Sequence, residues 1–236
     1  MKLLYDREIA YIDNKISEII DFLKVSNLYD NTLIVITSDH GEHFGEYGLW
    51  SHVASLHKEV LHVPLIIKYP KGIEYVKEVS QYTQSVDIYP TVMNIANIEN
   101  DKSKLVSGVN LRYDRVKGNK YREIIFAEWE GRMPYFILDK MKSANMKYSL
   151  EWIKERRVMV QDRQYKLIKK DDGSEEWYDI SNCEKKLEDI MSISDQAKQL
   201  RDELKRKEKD RVHSNKSTDY SINDDIAKNL KALGYM

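Results

Sequence analysis

A chain of 236 residues with 42% hydrophobic and 33% charged side chains can bury a core, which excludes global disorder. Its 38 basic and 39 acidic side chains leave a net charge of −1, so no global field draws nucleic acid or an anionic membrane. The single cysteine, Cys183, excludes an internal disulfide framework and a multi-cysteine metal site, and it fits a reducing compartment.

Met1 to Asp6 holds no apolar stretch long enough for a signal peptide, and no window approaches a membrane span. As written, the segment is expected to be soluble and suited to the cytoplasm; an export signal would have to precede it. The chain opens on a predicted helix, with Ile9, Ile12, Ile16, Ile19, Ile20 and Leu23 recurring at three- and four-residue spacing. Tyr29-Asp30-Asn31 reads as a turn. Thr32 to Thr37 is a β-branched run, apolar at both parities, as for a strand covered on both faces in a parallel sheet. Val63 to Ile67 is a second such run, and the long stretch between them predicts a crossover connection. Ile88 to Ile98 reads as a helix with Asp87 near its N-cap and Pro90 in its first turn.

The character changes after about residue 110, so domains are expected over 1–110 and 111–236. Ile124 to Ala127, Val158 to Gln161, Tyr165 to Lys169 and Glu176 to Ile180 read as strands, and Asp171-Asp172-Gly173 supplies a hairpin turn. Ser194 to Arg211 is a charged helix with a thin apolar seam. Residues 212–222 are polar and read as a linker, before a last helix over Asn223 to Leu233 closed by Gly234.

Five of the six histidines (His40, His43, His52, His57, His62) fall within 23 positions, where even scatter would place about 0.6. Ligands in open α/β sheets collect beyond the carboxyl ends of strands, where Ser38-Asp39-His40-Gly41 sits. Successive strand side chains point to opposite faces, so Asp39 and His40 share one ion only if the backbone bends, which Gly41 permits. A carboxylate oxygen plus an imidazole nitrogen suits divalent ions from calcium to zinc or manganese. His52 can return over the same spot. The alternative is a strand-end cap with solvated loop histidines. His43, His57 and His62 read as structural, with the last two flanking a helix; Glu42 and Glu46 read as solvated or loop-ordering, and Trp50 as a packing residue.

Thr37-Ser-Asp-His-Gly-Glu42, Gly45-Glu-Tyr-Gly-Leu-Trp50, Ser55-Leu-His-Lys-Glu59 and Val63-Pro-Leu-Ile-Ile67 together resemble type I sulfatases of the alkaline phosphatase superfamily. The likeness continues through Tyr5-Asp-Arg-Glu-Ile-Ala-Tyr-Ile-Asp13, Leu28-Tyr-Asp-Asn-Thr-Leu-Ile34, Asp87-Ile-Tyr-Pro-Thr91, Tyr165-Lys-Leu-Ile168, Trp177-Tyr-Asp-Ile180 and Leu230-Lys-Ala-Leu-Gly-Tyr235. The resemblance implies a partial α/β core, a mostly parallel sheet with flanking helices, followed by a small C-terminal antiparallel sheet with helices. It implies Asp39 and His40 as metal ligands, with Ca2+ the usual ion and Mg2+, Mn2+ or Zn2+ as alternatives. It implies His52 as a catalytic, substrate-binding residue that contacts the anionic oxygens of a sulfate ester. A phosphodiesterase or phosphoglycerol transferase of the same superfamily, or a non-catalytic remnant that binds a partner or ion, are the competing readings.

Departures from the family pattern carry their own expectations. The formylglycine nucleophile of sulfatases comes from a Cys or Ser followed by x-Pro/Ala-x-Arg, and no residue of this chain has that sequel. The first acidic metal-binding pair is also missing. Tyr47 stands where His is usual, and His57-Lys58 where Tyr and an acid are usual. The chain is therefore expected to correspond to the C-terminal half of a sulfatase. Its expected partners are the ester substrate and a separate N-terminal half, or another copy pairing at exposed strand edges, with no nucleic acid and no membrane segment.

Overall fold

The computed structural model describes residues 2–73, 75, 80–98, 108–112, 122–131, 151–188 and 193–214. The chain divides into two compact units, Met1–Ile125 and Phe126–Met236. The predicted helix over Asn223 to Leu233 and its Gly234 lie outside the described residues, as does the 215–222 part of the expected linker.

In the first unit, α1 (Lys2–Val25) realises the isoleucine spacing. It ends in a Schellman arrangement: Asn27 takes a left-handed φ of 57°, while Leu28 N–H donates to Leu23 O and Asn27 N–H to Lys24 O. No residue of α1 is buried. A one-turn helix at Tyr29–Asn31 leads to β1 (Ile34–Thr37), which pairs with β4 (Leu65–Lys68).

That pairing is antiparallel, with Val35 opposite Ile67 and Ile36 opposite Ile66, and so corrects the expected parallel crossover. The reason is physical: a run apolar at both parities reports that both faces are covered, not which way the neighbouring strand runs. Between these strands lie a short hairpin, β2 (His43–Phe44) with β3 (Trp50–Ser51), and a single-turn α2 (Lys58–Leu61). His57 and His62 cap α2 at its two ends, as the sequence predicts.

Farther on, α3 (Ile88–Ile95) is preceded by a one-turn helix at Ser85–Asp87. Asp87 is the N-cap of α3, as expected, and the helical turn before it starts two residues earlier, at Ser85, where Gln84 and Asp87 form a capping box. The fully buried Asp87 carboxylate accepts from Gln84 N–H and Val109 N–H, each at 2.8 Å, and pairs with the Arg122 guanidinium.

The second unit is a five-stranded sheet in the order β5 (Ile125–Trp129), β6 (Arg157–Gln161), β7 (Tyr165–Lys170), β8 (Glu175–Asp179), β9 (Lys185–Lys186), with antiparallel neighbours from β6 onward. The short α4 (Glu151–Lys154) precedes β6. The β7–β8 turn closes with Gly173 at a φ of 83°. The charged helix α5 runs Ser194–Ser214, three residues into the expected linker. Its buried Ala197, Leu200 and Leu204 recur at helical spacing, and Arg201 makes a bidentate pair with Glu175 of β8. Lys169 reaches Glu208 of α5 at 3.4 Å, so the face of β7 and β8 that carries Leu167 and Trp177 is the one against the helix. Lys166, on the opposite face, is buried with Glu184 at 2.8 Å. Among the described residues, no helix is long and apolar enough to cross a membrane.

Burial is distributed unevenly. Among the described residues, the second unit buries thirteen hydrophobic side chains, from Ile153 to Leu204, and the first buries Ala54, Leu56, Val60 and Leu111. Ile12, Ile19 and Phe22 on α1 and Ile66 on β4 are large apolar side chains left exposed, the kind of surface that draws a partner. Purified alone, the chain is expected to run as an oligomer by light scattering. Ile12→Glu with Ile19→Lys is expected to shift it toward monomer, with stability changed by no more than about 0.5 kcal/mol. A monomeric wild type, or a double variant that melts far below it, would refute this use of α1.

His43 anchors the loop between β1 and α2. Its ring is buried, and Nε2 lies 2.7 Å from Ser55 Oγ, a hydroxyl that also accepts from His57 N–H at 3.2 Å. Nδ1 has no hydrogen-bond partner among the described residues and sits 4.0 Å from Glu46 Oε2. Burial, partly offset by the Glu59 charge, holds this imidazole below its ordinary value of 6.5. Just below pH 6.5 the folded chain therefore binds fewer protons here than the unfolded one. The stabilisation is complete above pH 6.5 and is lost as pH falls toward the folded value, at a limiting slope of about 1.4 kcal/mol per pH unit. His43→Gln is expected to flatten the fall in melting temperature between pH 7 and pH 5; an unchanged fall would refute the assignment.

Candidate metal centre

The end of β1 is held by backbone rather than by side chains. Gly41 N–H donates to Val60 O at 2.8 Å, and a Cβ on Gly41 would lie 2.0 Å from Glu59 O. Glycine is needed here for the close approach to α2; Gly41 is not among the positive-φ positions, so the expected reason, freedom to bend, is replaced by contact. Clamped this way, Asp39 and His40 present Oδ2 and Nε2 3.7 Å apart. Asp39 is largely exposed. Its slight burial works against ionisation, but the His40 N–H on Oδ1 at 3.0 Å and the His40 ring hold its carboxyl below the usual range. His40 donates from Nδ1 to Gly41 O at 2.8 Å, which leaves the Nε2 lone pair free for a cation.

His52 returns over this spot. Its ring stacks on His40 with centroids 3.8 Å apart and planes at 24°. Its Nδ1 donates to Glu42 Oε2 at 3.0 Å, so Glu42 is neither solvated nor loop-ordering, as its sequence context suggests, but the carboxylate partner of His52. The sequence carries little signal for that role, because the two residues stand ten positions apart and meet only through the returning hairpin. One ligand atom each from His40, Glu42 and His52 lies within 4.8 Å of the other two. Two overlapping donor sets therefore exist: Asp39 with His40, and His40 with Glu42 and His52.

The loop that delivers His52 is strained. Tyr47, Ser51 and Ala54 adopt φ values of 55°, 71° and 53°, in the region L-residues avoid at roughly 1–2 kcal/mol each. Tyr47 is held by stacking on His57 at 4.1 Å, and Glu46 by accepting Phe44 N–H at 2.6 Å. Edge contact between Tyr5 of α1 and Phe44, 5.0 Å between centroids, ties α1 to the same hairpin. Trp50, expected to pack, is instead 59% exposed, its indole against Gly45. The Ser55–His43 pair has the spacing of a nucleophile and its base, but Ser55 is 6% exposed and its hydroxyl is engaged, so it serves as an anchor.

The sulfatase family model matches residues 2–98, which contain β1, the hairpin, α2, β4 and α3. The N-acetylglucosamine-6-O-sulfatase of Bacteroides thetaiotaomicron is 27% identical over 225 residues, 91% of this chain and 37% of that protein. Two solved structures share the fold. A 2-O GAG sulfatase superposes with a TM-score of 0.62 at 21% identity, over 86% of this chain and 42% of that one. The phosphonate monoester hydrolase of Agrobacterium radiobacter gives 0.63 at 22% identity, over 87% and 40%. The chain thus spans about four-tenths of the length of the proteins it matches. The sulfatase family model thus covers the site-bearing segment, and over nine-tenths of its length the chain is similar to a sulfatase.

Proposed function

We propose that the chain contributes the metal-binding strand end and one substrate-contacting residue to a hydrolase of sulfuric esters. The observation that supports this most is the pair Asp39 Oδ2 and His40 Nε2, 3.7 Å apart at the end of β1, with the His52 ring stacked against them. An exposed carboxylate beside an imidazole lone pair fits two positions of a divalent shell, with Ca2+ the ion the resemblance implies. When bound, such an ion supplies Lewis acidity toward an ester oxygen.

The chain's own residues do the rest of the positioning. Gly41 O fixes the His40 tautomer, and Glu42 holds His52 by its Nδ1–H; with Nε2 also protonated, the opposite ring edge would donate to an anionic oxygen. The nucleophile and the remaining metal ligands would come from the part of the family fold that this chain does not span. The sugar-sulfate relative favours a sulfated carbohydrate as substrate class. A second reading, phosphonate or phosphate ester hydrolysis, is favoured by the likeness to the phosphonate monoester hydrolase and by the imidazole-rich donor set.

The test is a thermal melt with and without Ca2+. At ten times Kd the wild-type chain is expected to gain about 1.4 kcal/mol and Asp39→Ala none; equal shifts in both would remove the metal assignment. Assayed by itself on an aryl sulfate, the chain is expected to show little or no turnover. Rates like those of a complete sulfatase would show that no further segment is needed.

A further inference from the structure

We propose that His40, Glu42 and His52 form a binding site for a borderline divalent cation of the Zn2+ class, with His40 Nε2, a Glu42 carboxylate oxygen and a His52 imidazole nitrogen as three ligands and water as the fourth. The proposal does not rest on the hydrolase reading, because Asp39 lies outside this donor set. Three features carry it. The ligand atoms already lie within 4.8 Å of one another. The His52 Nδ1–H···Glu42 Oε2 hydrogen bond, 3.0 Å, holds these two donors side by side, and an ion between them requires His52 in its other tautomer, with the proton on Nε2. And His40 enters with its tautomer set, since Nδ1–H is committed to Gly41 O and only Nε2 has a lone pair to give.

The chemistry of the donors selects the ion. Two imidazoles and one carboxylate are the His2Glu combination that suits zinc with an open fourth position, whereas calcium asks for six to eight oxygens. Access is open, because the His52 side chain is 44% exposed and Glu42 21%. The stacked rings must also change: with planes at 24° both lone pairs do not point at one spot, so the half-exposed His52 turns on binding. A Zn2+ ion here would replace the His40–His52 stack as the tie between β1 and the strained hairpin.

Isothermal titration of the full chain with Zn2+ alone, after chelator treatment, is expected to show one site per chain. Glu42→Gln and His52→Ala should each weaken it at least about tenfold, and Asp39→Ala by less than about threefold. Co2+ in place of Zn2+ should give the intense visible bands of a four-coordinate ion in wild type and lose them in Glu42→Gln, a conservative variant whose fold is checked by an unchanged metal-free melt. Failure of the wild-type chain to bind Zn2+ overturns the proposal whatever the Ca2+ melt shows. Binding that disappears in Asp39→Ala but survives in Glu42→Gln and His52→Ala overturns it too, by assigning the ion to the other donor pair. Zn2+ binding retained in Asp39→Ala while its Ca2+ response is lost supports it.

Discussion

Everything at the candidate centre depends on one backbone contact, the Gly41 amide against the Val60 carbonyl. It joins the end of β1 to α2, and α2 runs into β4, the partner of β1. The three segments thus close a small cycle that leaves the Asp39–His40 step no freedom to drift. A side chain at 41 would collide with the Glu59 carbonyl, backbone that cannot swing aside. The His43–Ser55 bond closes the same loop from inside, so two short contacts, one main-chain and one buried side-chain, hold a loop that has almost no regular structure. Strain at Tyr47, Ser51 and Ala54 persists because the surrounding contacts over-determine the path.

The two units differ in how they are held together. The second has a sheet with both faces used: Leu167 and Trp177 toward α5, and a buried Lys166–Glu184 pair on the other side. A buried ion pair is weak evidence for stability but strong evidence for a specific arrangement, since removing either partner strands a charge. The first unit spends its apolar residues differently. α1 is amphipathic by spacing yet has no buried residue, and β1 and β4 each keep one edge unpaired among the described residues. The solved structures that share the fold are more than twice as long as this chain.

Local periodicity was legible and relative placement was not. The isoleucine repeat, the β7–β8 turn and the alternation of the second unit's strands encode structure within a few residues, and they appear where spacing puts them. The direction of β4 against β1 is not encoded in either strand. Asp87 was legible as a helix-start residue, but its role as the buried acceptor for Val109 and Arg122 depends on residues 22 and 35 positions away. Glu42 is the clearest case: beside Gly41 it reads as a solvated loop acid, and only the returning hairpin makes it the partner of His52. Trp50 reads as a packing residue because tryptophan usually is one, yet it is more than half exposed, with its indole beside Gly45.

Both donor sets contain His40, and its one free lone pair cannot serve two ions. Occupancy of one set therefore excludes the other, and the choice falls to the ion. A hard ion gains more from the exposed Asp39 carboxylate and surrounding water, which can complete a large, loose shell. A borderline ion gains more from the second imidazole, and a shell of four is nearly complete with Glu42. Ligands contributed by further segments would tip this balance, because added carboxylates near Asp39 favour the hard ion and leave His52 free to meet an anionic substrate. Where such segments are absent, the imidazole pair is the better ligand. The same residues thus hold two chemistries, and the composition of the shell around Asp39 decides which one is expressed.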